Sequence, residues 1–418
     1  MSRPGLIPFD DALARLLEQA KPVGVTEQVP TMDAVQRVLA EAVVSPLSVP
    51  SWDNSQMDGY AVRSSELAAM QAGQPADGQA GEQAALRIAQ RIPAGRQGGP
   101  LAPGTVARIF TGAAIPAGAD AVVMQEQATL VGEGGDRVRF SHLPKPGEWI
   151  RREGEDIRSG ATILPAGTRL TPQATGLAAS VGAATLKVFG RVRVACFFTG
   201  DELVMPGQPL PPGAIYNSNR FLLTALLRRL GCDVIDMGIV GDSLQATRAA
   251  LREAAAGADL IVTSGGMSVG EEDHVKPAVE AEGELDMWQL DIKPGKPLAY
   301  GRAQGAHFIG LPGNPVSSFV TFLLFVRPFI LALQGVAQVA PARLRLAAGF
   351  DWPRPDRRRE FLRVSVNAQT GLLELFPNQG SAVLTSTVAG DGLLDNPGGQ
   401  SIRHGDVVTY LPFSDLLN

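Results

Sequence analysis

The sequence predicts a multidomain protein in which an α/β domain is flanked in the chain by two β-rich segments. Between residues 191 and 334, short apolar runs alternate with helical patterns. Such alternation is typical of a parallel sheet covered by helices on both faces. From Ser45 to about Gly190, and again after Pro341, short strands and turns dominate instead. A chain of 418 residues also suits several domains, at roughly 100–200 residues each.

Apolar periodicity predicts the individual elements of the α/β segment. The predicted strands are Val192–Phe198, Asp233–Val240, Leu260–Thr263, Trp288–Ile292 and His307–Leu311, and the predicted helices cover about 218–230, 243–256, 273–282 and 316–334. A further amphipathic helix is expected over residues 9–20. Gly231 is expected to end the helix 218–230, because glycine tolerates the left-handed conformation that follows many helices.

The flanking segments show short strands separated by turn-forming residues. The predicted strands are Ala107–Phe110, Ala121–Met124 and Arg137–Phe140 before the α/β segment, and Leu344–Ala347, Phe361–Val366, Leu372–Phe376 and Val407–Tyr410 after it. The stretch Ala72–Ala85 is rich in Gly, Gln, Ala and Pro and is predicted to be a flexible insert.

Composition excludes several classes of protein. The formal net charge is −5, so a general nucleic-acid-binding surface is not expected. The two cysteines, Cys196 and Cys232, form no CxxC pair, which argues against a disulfide framework or a structural zinc site. The apolar stretch Val316–Leu333 contains Arg327-Pro328 and is predicted to be a core helix rather than a membrane span. The segment Met1–Leu17 lacks a signal-peptide pattern, so a cytoplasmic location is expected.

Loops rich in Gly, Ser and Asp follow the predicted strands of the α/β segment. They are Thr199-Gly200-Asp201-Glu202, Gly241-Asp242, Ser264–Gly270 with Asp273, and Gly310–Pro315. Ligands of open α/β sheets bind at the carboxyl ends of the strands. Glycines there let backbone amides approach an anion. The sequence therefore predicts an anion site at this edge.

Three acidic residues, Glu202, Asp242 and Asp273, are expected on the same edge. Carboxylates beside a phosphate repel it unless a divalent cation intervenes, and Mg²⁺ takes one or two carboxylates together with phosphate oxygens. They therefore suggest Mg²⁺-assisted phosphate chemistry. The alternative is structural: Asp242 with Gln245 fits a capping box, and Asp273 fits a cap of the next helix.

Lysine is scarce, and two of the six lysines lie in the segment Lys293-Pro294-Gly295-Lys296-Pro297. The prolines restrict the backbone, and two charges on a stiff loop suit an oxyanion. A solvated basic loop is the alternative, but it would not need that stiffness.

Three further motifs have simpler explanations. Asp58-Gly59 fits a hairpin turn as well as a functional site. The stretch Arg151–Asp156 fits a solvated charged run as well as a functional site. Gly266–Gly270 matches the GxSxG pattern of hydrolases around Ser268. However, residues 264–266 separate this serine from the strand, and the chain has no HGG-type oxyanion segment. A hydrolase is therefore disfavoured.

Taken together, eight segments resemble the molybdopterin molybdenumtransferases, which comprise MoeA and the E domain of gephyrin and its plant counterpart. The matching segments are Asp53–Arg63, Arg108–Gly112, Ala121–Gln127, Gly154–Ile157, Thr199–Leu203, Ser264–Asp273, Lys293–Pro297 and Leu311–Ser317. None is specific alone, but they follow in order over nearly the whole chain. The small departures are Met267, Gln56 and the insert.

The resemblance implies a four-domain protomer and a homodimer. An extended connector domain would comprise residues 27–50 and 152–190, and a β-rich lobe residues 51–151. The molybdopterin-binding three-layer α/β domain would combine 1–26 with 191–335, and a C-terminal β-barrel would cover 336–418.

The resemblance also implies a reaction: molybdate is transferred onto adenylylated molybdopterin with Mg²⁺ or Zn²⁺, and AMP is released. Metal and phosphoanhydride would be handled by Glu202, Asp242 and Asp273, and molybdate by Lys293, Lys296, Ser317, Arg358 and Ser381. Other positions implied to be functional are Asp58, Thr111, Arg151 and Asp156 in the β-rich lobe, expected to act across the dimer interface, and Thr199, Gly200, Asp201, Ser264, Gly265, Gly266, Ser268, Gly270, Pro297, Pro312, Gly313 and Asn314 in the strand-end loops.

Two other functions stay open at this point. One is a molybdopterin adenylyltransferase or nucleotide pyrophosphatase on the same α/β domain, and the other is a gephyrin-like scaffold. Expected partners are an adenylyltransferase and proteins that mature molybdoenzymes, with no nucleic acid and no membrane. Tungsten in place of molybdenum and a division of labour among paralogues are also left open.

Overall fold

The structure is a computed structural model that describes residues 5–72, 85–266 and 274–417. The chain divides into two compact units. The first comprises Met1–Glu41, Ala166–Pro172 and Thr185–Asn418, and the second Ala42–Pro165 and Gln173–Ala184. Most of the predicted insert, residues 73–84, lies outside the described residues.

Helices and strands are interspersed along the described part of the chain. The helices are α1 (Phe9–Glu18), α2 (Ser64–Ala72), α3 (Pro172–Ser180), α4 (Ser218–Arg229), α5 (Leu244–Gly257), α6 (Val275–Glu282), α7 (Pro315–Thr321), α8 (Arg327–Leu333), α9 (Thr385–Ala389) and α10 (Phe413–Leu416). The first strands are β1 (Thr26–Pro30), β2 (Val43–Val44), β3 (Asn54–Ser55), β4 (Gly59–Val62), β5 (Leu86–Ile92), β6 (Thr105–Ile109), β7 (Ala121–Met124), β8 (Ala128–Val131), β9 (Arg137–Phe140), β10 (Ile150–Arg151), β11 (Thr162–Leu164) and β12 (Thr185–Phe189). The remaining strands are β13 (Arg193–Thr199), β14 (Leu203–Val204), β15 (Ile215–Tyr216), β16 (Asp233–Val240), β17 (Leu260–Ser264), β18 (Gly283–Gln289), β19 (Ile292–Lys293), β20 (Pro297–Ala303), β21 (Ala306–Leu311), β22 (Leu344–Ala347), β23 (Arg359–Val366), β24 (Leu373–Leu375), β25 (Gly392–Asn396) and β26 (Val407–Pro412).

The main sheet of the first unit has the strand order β16-β13-β17-β21-β20-β18. The strands β16, β13, β17 and β21 run parallel, which confirms the prediction for this part of the sheet. The predicted strand Trp288–Ile292 is wrong, because β18 ends at Gln289 and pairs antiparallel with β20. The strand β20 was not predicted, and it is antiparallel to β21 because a tight turn joins the two.

Both faces of this sheet are buried, as predicted. Along β13, Val194, Cys196 and Phe198 face a cluster that includes α1, α4, α7 and α8. The alternate residues Ala195 and Phe197 face α5 and α6. Successive side chains of a strand point to opposite faces, so one apolar run supplies two cores.

The segment Pro315–Leu333 is long and apolar enough to cross a membrane. However, 94% of its most apolar 18-residue stretch is buried inside the protein. The helix continues through Arg327-Pro328 by way of a π-helical segment at Phe322–Val326. Proline has no N–H to donate to the preceding turn, and the wider π-helical turn accommodates this missing hydrogen bond. The prediction of a core helix is confirmed.

A second sheet of the first unit has the order β19-β23-β25-β26-β22, with β24 paired to β23. The four strands predicted for the C-terminal segment are confirmed, and β25 was not predicted. The short strand β19 places Ile292 and Lys293 in parallel register with Arg359 and Glu360. This pairing joins the predicted oxyanion loop to the C-terminal sheet.

The second unit is built on a sheet of order β7-β4-β6-β5-β9-β8. Its β6, β7 and β9 confirm the three strands predicted for this segment. Smaller pairs, β10 with β3 and β11 with β2, complete its strand pairing among the residues described.

Candidate functional site

The carboxyl ends of the parallel strands meet at one edge of the main sheet. Phe198 of β13 is in register with Ser264 of β17, and Ser264 with Leu311 of β21. A cavity of about 830 Å³ opens at this edge. It is lined by Glu202, Gly265, Gly266, Gln289, Lys293, Pro294, Gly295, Lys296, Pro297, Pro312, Gly313, Asn314, Ser317, Arg358, Gln379, Gly380 and Ser381. We call this space the oxyanion cavity.

The Lys293–Pro297 loop forms one wall of the oxyanion cavity. The ammonium of Lys293 lies 3.3 Å from Oε1 of Glu360 and 3.4 Å from Oδ2 of Asp356. Gly295 has a φ of +102°, and a side chain there would overlap Oγ1 of Thr321. Lys296 is exposed on the same loop. One lysine is therefore held by two carboxylates, and the other is exposed in the cavity wall.

The guanidinium of Arg358 is held by Asp356. Its Nε lies 3.1 Å from Oδ1 and its Nη2 3.0 Å from Oδ2, and its backbone N–H donates to Oδ1 at 3.0 Å. These hydrogen bonds from Arg358, opposed by partial burial, keep the pKa of Asp356 well below its usual value. Asp356 was missed in the sequence, where only its spacing of two residues from Arg358 could have indicated it.

Ser317 and Ser381 supply hydroxyl groups to the oxyanion cavity. Ser317 is buried on α7. Ser381 is joined to the start of that helix, because its carbonyl accepts from the N–H of Val316 at 3.0 Å and its Oγ accepts from Asn314 Nδ2 at 3.2 Å. Two loops distant in sequence are thereby held in one wall.

The loop that carries Ser381 rests on Arg363, which the sequence analysis also missed. This side chain is 1% exposed and donates to Ser386 Oγ at 3.1 Å, the Phe361 carbonyl at 3.3 Å and the Gly380 carbonyl at 3.2 Å. Burial lowers its pKa to about 10. Its position in an apolar strand gave no sign of this role.

The three predicted metal ligands have different outcomes. Glu202 lines the oxyanion cavity, and its carboxylate folds over Gly200, whose φ is +142°. Asp242 follows β16, the strand next to β13. The alternative that Asp242 caps the following helix is wrong, because Ser243 caps α5 through a hydrogen bond from Ala246 N. Asp273 lies outside the described residues. Within the described ranges, no three His, Cys, Asp or Glu side chains form a group suited to a metal, so the metal site stays a prediction.

The loop after β17 begins with a buried structural serine. Ser264 Oγ donates to the Pro312 carbonyl at 2.9 Å and lies 3.0 Å from Ser318 Oγ. Gly265 has a φ of +100°, and a Cβ there would lie 2.8 Å from the Thr199 carbonyl oxygen. Only glycine fits this approach of two strand ends. The predicted residues Ser268 and Gly270 lie outside the described residues.

In the second unit, the structure brings Asp58 and Thr111 together. Asp58 Oδ1 accepts from both the backbone N–H and the hydroxyl of Thr111 at 2.8 Å. The backbone hydrogen bond is the main reason why the pKa of Asp58 is lowered. Arg151 and Asp156 are exposed, and the exposed Asp201 of the first unit is likewise at the surface.

Both cysteines are buried and free. Burial raises the pKa of Cys196 to about 11 and that of Cys232 to about 12. Such thiols are unreactive and have no part in the site.

Comparison with known proteins identifies the class. Family models match the MoeA N-terminal region (domain I and II) at residues 7–182, a probable molybdopterin binding domain at 195–332 and the MoeA C-terminal region (domain IV) at 345–413. The fold and the cavity thus define a multidomain protein built around an α/β domain of the probable molybdopterin-binding kind.

Individual relatives narrow this class. The molybdopterin molybdenumtransferase of Haemophilus influenzae is 40% identical over 99% of this chain and 100% of its own length. Molybdopterin molybdenumtransferase 2 of Mycobacterium tuberculosis is 36% identical over 92% of this chain and 93% of its own. A solved MoeA molybdopterin biosynthesis protein of Pyrococcus horikoshii has a TM-score of 0.80 at 27% identity, with 97% of this chain and 100% of that chain covered. The chain belongs to the MoeA family.

Proposed function

We propose that this protein is a molybdenum insertase, which transfers molybdate onto adenylylated molybdopterin and releases AMP. The observation that carries the proposal is the convergence of Lys293, Lys296 and Arg358 with two serine hydroxyls in one cavity at the carboxyl edge of the sheet. The relatives named molybdopterin molybdenumtransferase support the same reaction.

The oxyanion cavity suits molybdate, a doubly charged tetrahedral anion. Lysine supplies point charges and arginine a planar set of donors, and each forms charge-assisted hydrogen bonds with an oxyanion. Asp356 and Glu360 fix two of the three cations before the anion arrives. Little ordering of side chains is then left to oppose binding.

Release of AMP requires cleavage of a phosphoanhydride, which concentrates negative charge near the oxyanion. Mg²⁺ prefers ligands that are all oxygen atoms. Glu202 contributes a carboxylate to the cavity. We infer that Glu202 holds the cation together with Asp242 and Asp273. When bound, Mg²⁺ neutralises charge on the phosphates.

The rival functions predict different behaviour. A molybdopterin adenylyltransferase would produce adenylylated molybdopterin from ATP, whereas an insertase consumes it. Relatives that match this chain over nearly their whole length bear the transferase name, which favours the insertase. A scaffold would keep its partner when the oxyanion cavity is disabled.

Several finer predictions remain part of the proposal. They are the four-domain division, the closed C-terminal barrel, the homodimer, the cytoplasmic location and the partner proteins. In the proposed homodimer, four residues act across the interface, namely Asp58, Thr111, Arg151 and Asp156. The strand-end residues Thr199, Gly200 and Asp201 are proposed to bind substrate.

Reconstitution of a molybdoenzyme tests this function. The pure protein is incubated with adenylylated molybdopterin, molybdate and Mg²⁺, and the product is added to an apo-molybdoenzyme. Activity of the molybdoenzyme is expected only when all components are present. In the Asp273→Ala variant, adenylylated molybdopterin should accumulate in bound form, and unchanged turnover would refute the role of this residue.

A further inference from the structure

Three cations and one serine form a part of the oxyanion cavity that presents hydrogen-bond donors. They are Lys293, Lys296, Arg358 and Ser381, all of which line the cavity. We call these four residues the donor wall. The side chains of lysine and arginine carry N–H groups and no acceptor, whereas a serine hydroxyl can donate or accept. The contacts of the serine and of the neighbouring carboxylates therefore decide whether the donor wall offers an acceptor to a ligand.

The hydroxyl of Ser381 is arranged to donate. Its Oγ accepts from Asn314 Nδ2 at 3.2 Å, and its carbonyl accepts from the N–H of Val316 at 3.0 Å. The contact with Asn314 occupies a lone pair of Oγ and leaves the O–H group to donate. A hydroxyl that already accepts is polarised and becomes a stronger donor. Ser381 therefore adds a fourth donor to the three cations.

The two carboxylates that hold the donor wall have their oxygens engaged. Oδ1 of Asp356 accepts from the backbone N–H and Nε of Arg358, while Oδ2 accepts from Nη2 of Arg358 and lies 3.4 Å from the Lys293 ammonium. Glu360 is completely buried; its Oε1 lies 3.3 Å from the same ammonium and its Oε2 accepts from Trp352 Nε1 at 2.8 Å. Each of the four oxygens thus has a donor within the protein, and neither carboxylate is presented to a ligand as an acceptor.

A third carboxylate, that of Glu202, also lines the cavity. It belongs to the loop after β13 and lies over Gly200, where a Cβ would be 2.5 Å from its Oε2. In the proposed function Glu202 holds the cation beside the phosphates, so it is not part of the donor wall.

We propose that the donor wall selects tetrahedral oxyanions that carry no proton at neutral pH, and that it rejects hydrogen phosphate. Every oxygen of molybdate or sulfate is an acceptor at neutral pH. Phosphate keeps at least one hydroxyl under the same conditions, and this hydroxyl meets N–H and O–H groups of the donor wall instead of an acceptor. A polar group that is left without a partner weakens binding, which is how sites built from hydrogen bonds discriminate between similar ligands.

This inference rests on the proposed function and adds the basis of its selectivity for the anion. Shape and charge separate molybdate poorly from phosphate, because both are tetrahedral and hydrogen phosphate also carries two negative charges. The proton separates them. Sulfate, which carries no proton, is therefore expected to compete with molybdate, whereas phosphate is not.

Competition calorimetry with the full chain tests the inference. Molybdate is titrated into the protein at neutral pH without Mg²⁺, in the presence of either sodium sulfate or sodium phosphate. The two competitors have nearly the same size and differ in the proton, so their comparison isolates the proposed feature. We expect sulfate to compete at least about tenfold better than phosphate.

Position 381, which is partly exposed, provides a variant and its matched control. Ser381→Asp adds a free carboxylate to the donor wall, which repels sulfate and accepts from the phosphate hydroxyl. The preference for sulfate over phosphate should fall by about tenfold or more. Ser381→Ala removes a donor without adding an acceptor, so both competitors should weaken together and the preference should be kept. Thermal unfolding shows that each variant is folded.

Equal competition by sulfate and phosphate in the wild type overturns the inference. A folded Ser381→Asp variant that keeps the wild-type preference overturns it too, as does a Ser381→Ala variant that loses the preference. Molybdate-dependent AMP release by the wild type is measured in parallel. If release occurs while sulfate and phosphate compete equally, only the selectivity of the donor wall fails; if release is absent, the proposed function itself fails.

Discussion

The ammonium of Lys293 lies 3.3 Å from Oε1 of Glu360, a carboxylate that is completely buried. The contact follows from the parallel pairing of β19 with β23, which places the two residues opposite each other. The other oxygen of Glu360 accepts from Trp352 Nε1 at 2.8 Å. Lys293 thus stabilises a buried charge in addition to facing the oxyanion cavity.

The first prediction separates these two roles. Lys293→Met should lower the free energy of unfolding by about 1–3 kcal/mol, because Glu360 loses its cation inside the protein. It should also raise the molybdate concentration needed for half-maximal activity by about tenfold or more. In Lys293→Met/Glu360→Gln, stability should recover but molybdate binding should not. Denaturant unfolding and activity titrations measure the two effects, and a double variant as unstable as the single one would contradict the account.

The second prediction concerns Lys296, which is exposed in the cavity wall. Lys296→Ala should raise the half-saturating molybdate concentration by about five- to tenfold, with little change in stability, because it removes a charge from a solvated site. Lys276→Ala on α6 removes an exposed lysine that does not line the cavity and serves as the control. Equal behaviour of the two variants at limiting molybdate would remove Lys296 from the pocket.

The third prediction concerns Arg363, whose guanidinium fixes the Gly380–Ser381 wall from beneath. Arg363→Met should remove the hydrogen bonds to Ser386 Oγ and to the carbonyls of Phe361 and Gly380, and so lower the free energy of unfolding by about 1–3 kcal/mol. Because the wall shifts, the molybdate requirement should rise more than kcat falls. Arg363→Lys should restore part of both quantities. A variant that is less stable but unaltered in molybdate dependence would limit Arg363 to a structural role.

The fourth prediction is a dependence of stability on pH. Glu282 accepts from Arg252 Nη2 at 2.6 Å, Arg248 Nε at 2.7 Å and Gln304 Nε2 at 3.0 Å. These hydrogen bonds, above all those from Arg252, lower its pKa to about 2. The ordinary value is about 4.3, so its contribution to stability is complete above that pH and is lost as pH falls toward 2.

Glu282→Gln should therefore be less stable than the wild type at pH 6–7, and the difference should shrink progressively below about pH 4.5. Thermal unfolding across this range measures it. Glu280→Gln changes an exposed glutamate on the same helix and should match the wild type at each pH. A difference between Glu282→Gln and wild type that stays constant down to pH 2 would contradict the linkage.

Patterns of apolar residues predicted most of the fold. The strand β13 is a continuous apolar run because both of its faces are covered, and β17 and β21 are similar. The failure at Trp288–Ile292 has a physical cause: its apolar residues belong partly to β18 and partly to β19, which lie in different sheets. An apolar run indicates that its residues are buried, but it does not indicate to which sheet they belong.

Parts of the site were predictable from the sequence for two reasons. Glycines cluster in the loops that follow the strands, as at Gly265, and lysine is scarce in the chain, which drew attention to the Lys293–Pro297 loop. Glu360 and Arg363 could not be predicted, because their roles depend on pairing between β19 and β23 and on a turn far along the chain. Only its spacing of two residues from Arg358 indicated Asp356.

Molybdate-dependent release of AMP from adenylylated molybdopterin by the pure protein distinguishes an insertase from an adenylyltransferase. We expect AMP release to rise with molybdate concentration to saturation in the wild type. We expect Lys293→Met/Glu360→Gln, whose stability should match that of the wild type, to need about tenfold more molybdate. AMP release that is independent of molybdate, or formation of adenylylated molybdopterin from ATP in its place, would contradict the proposed function.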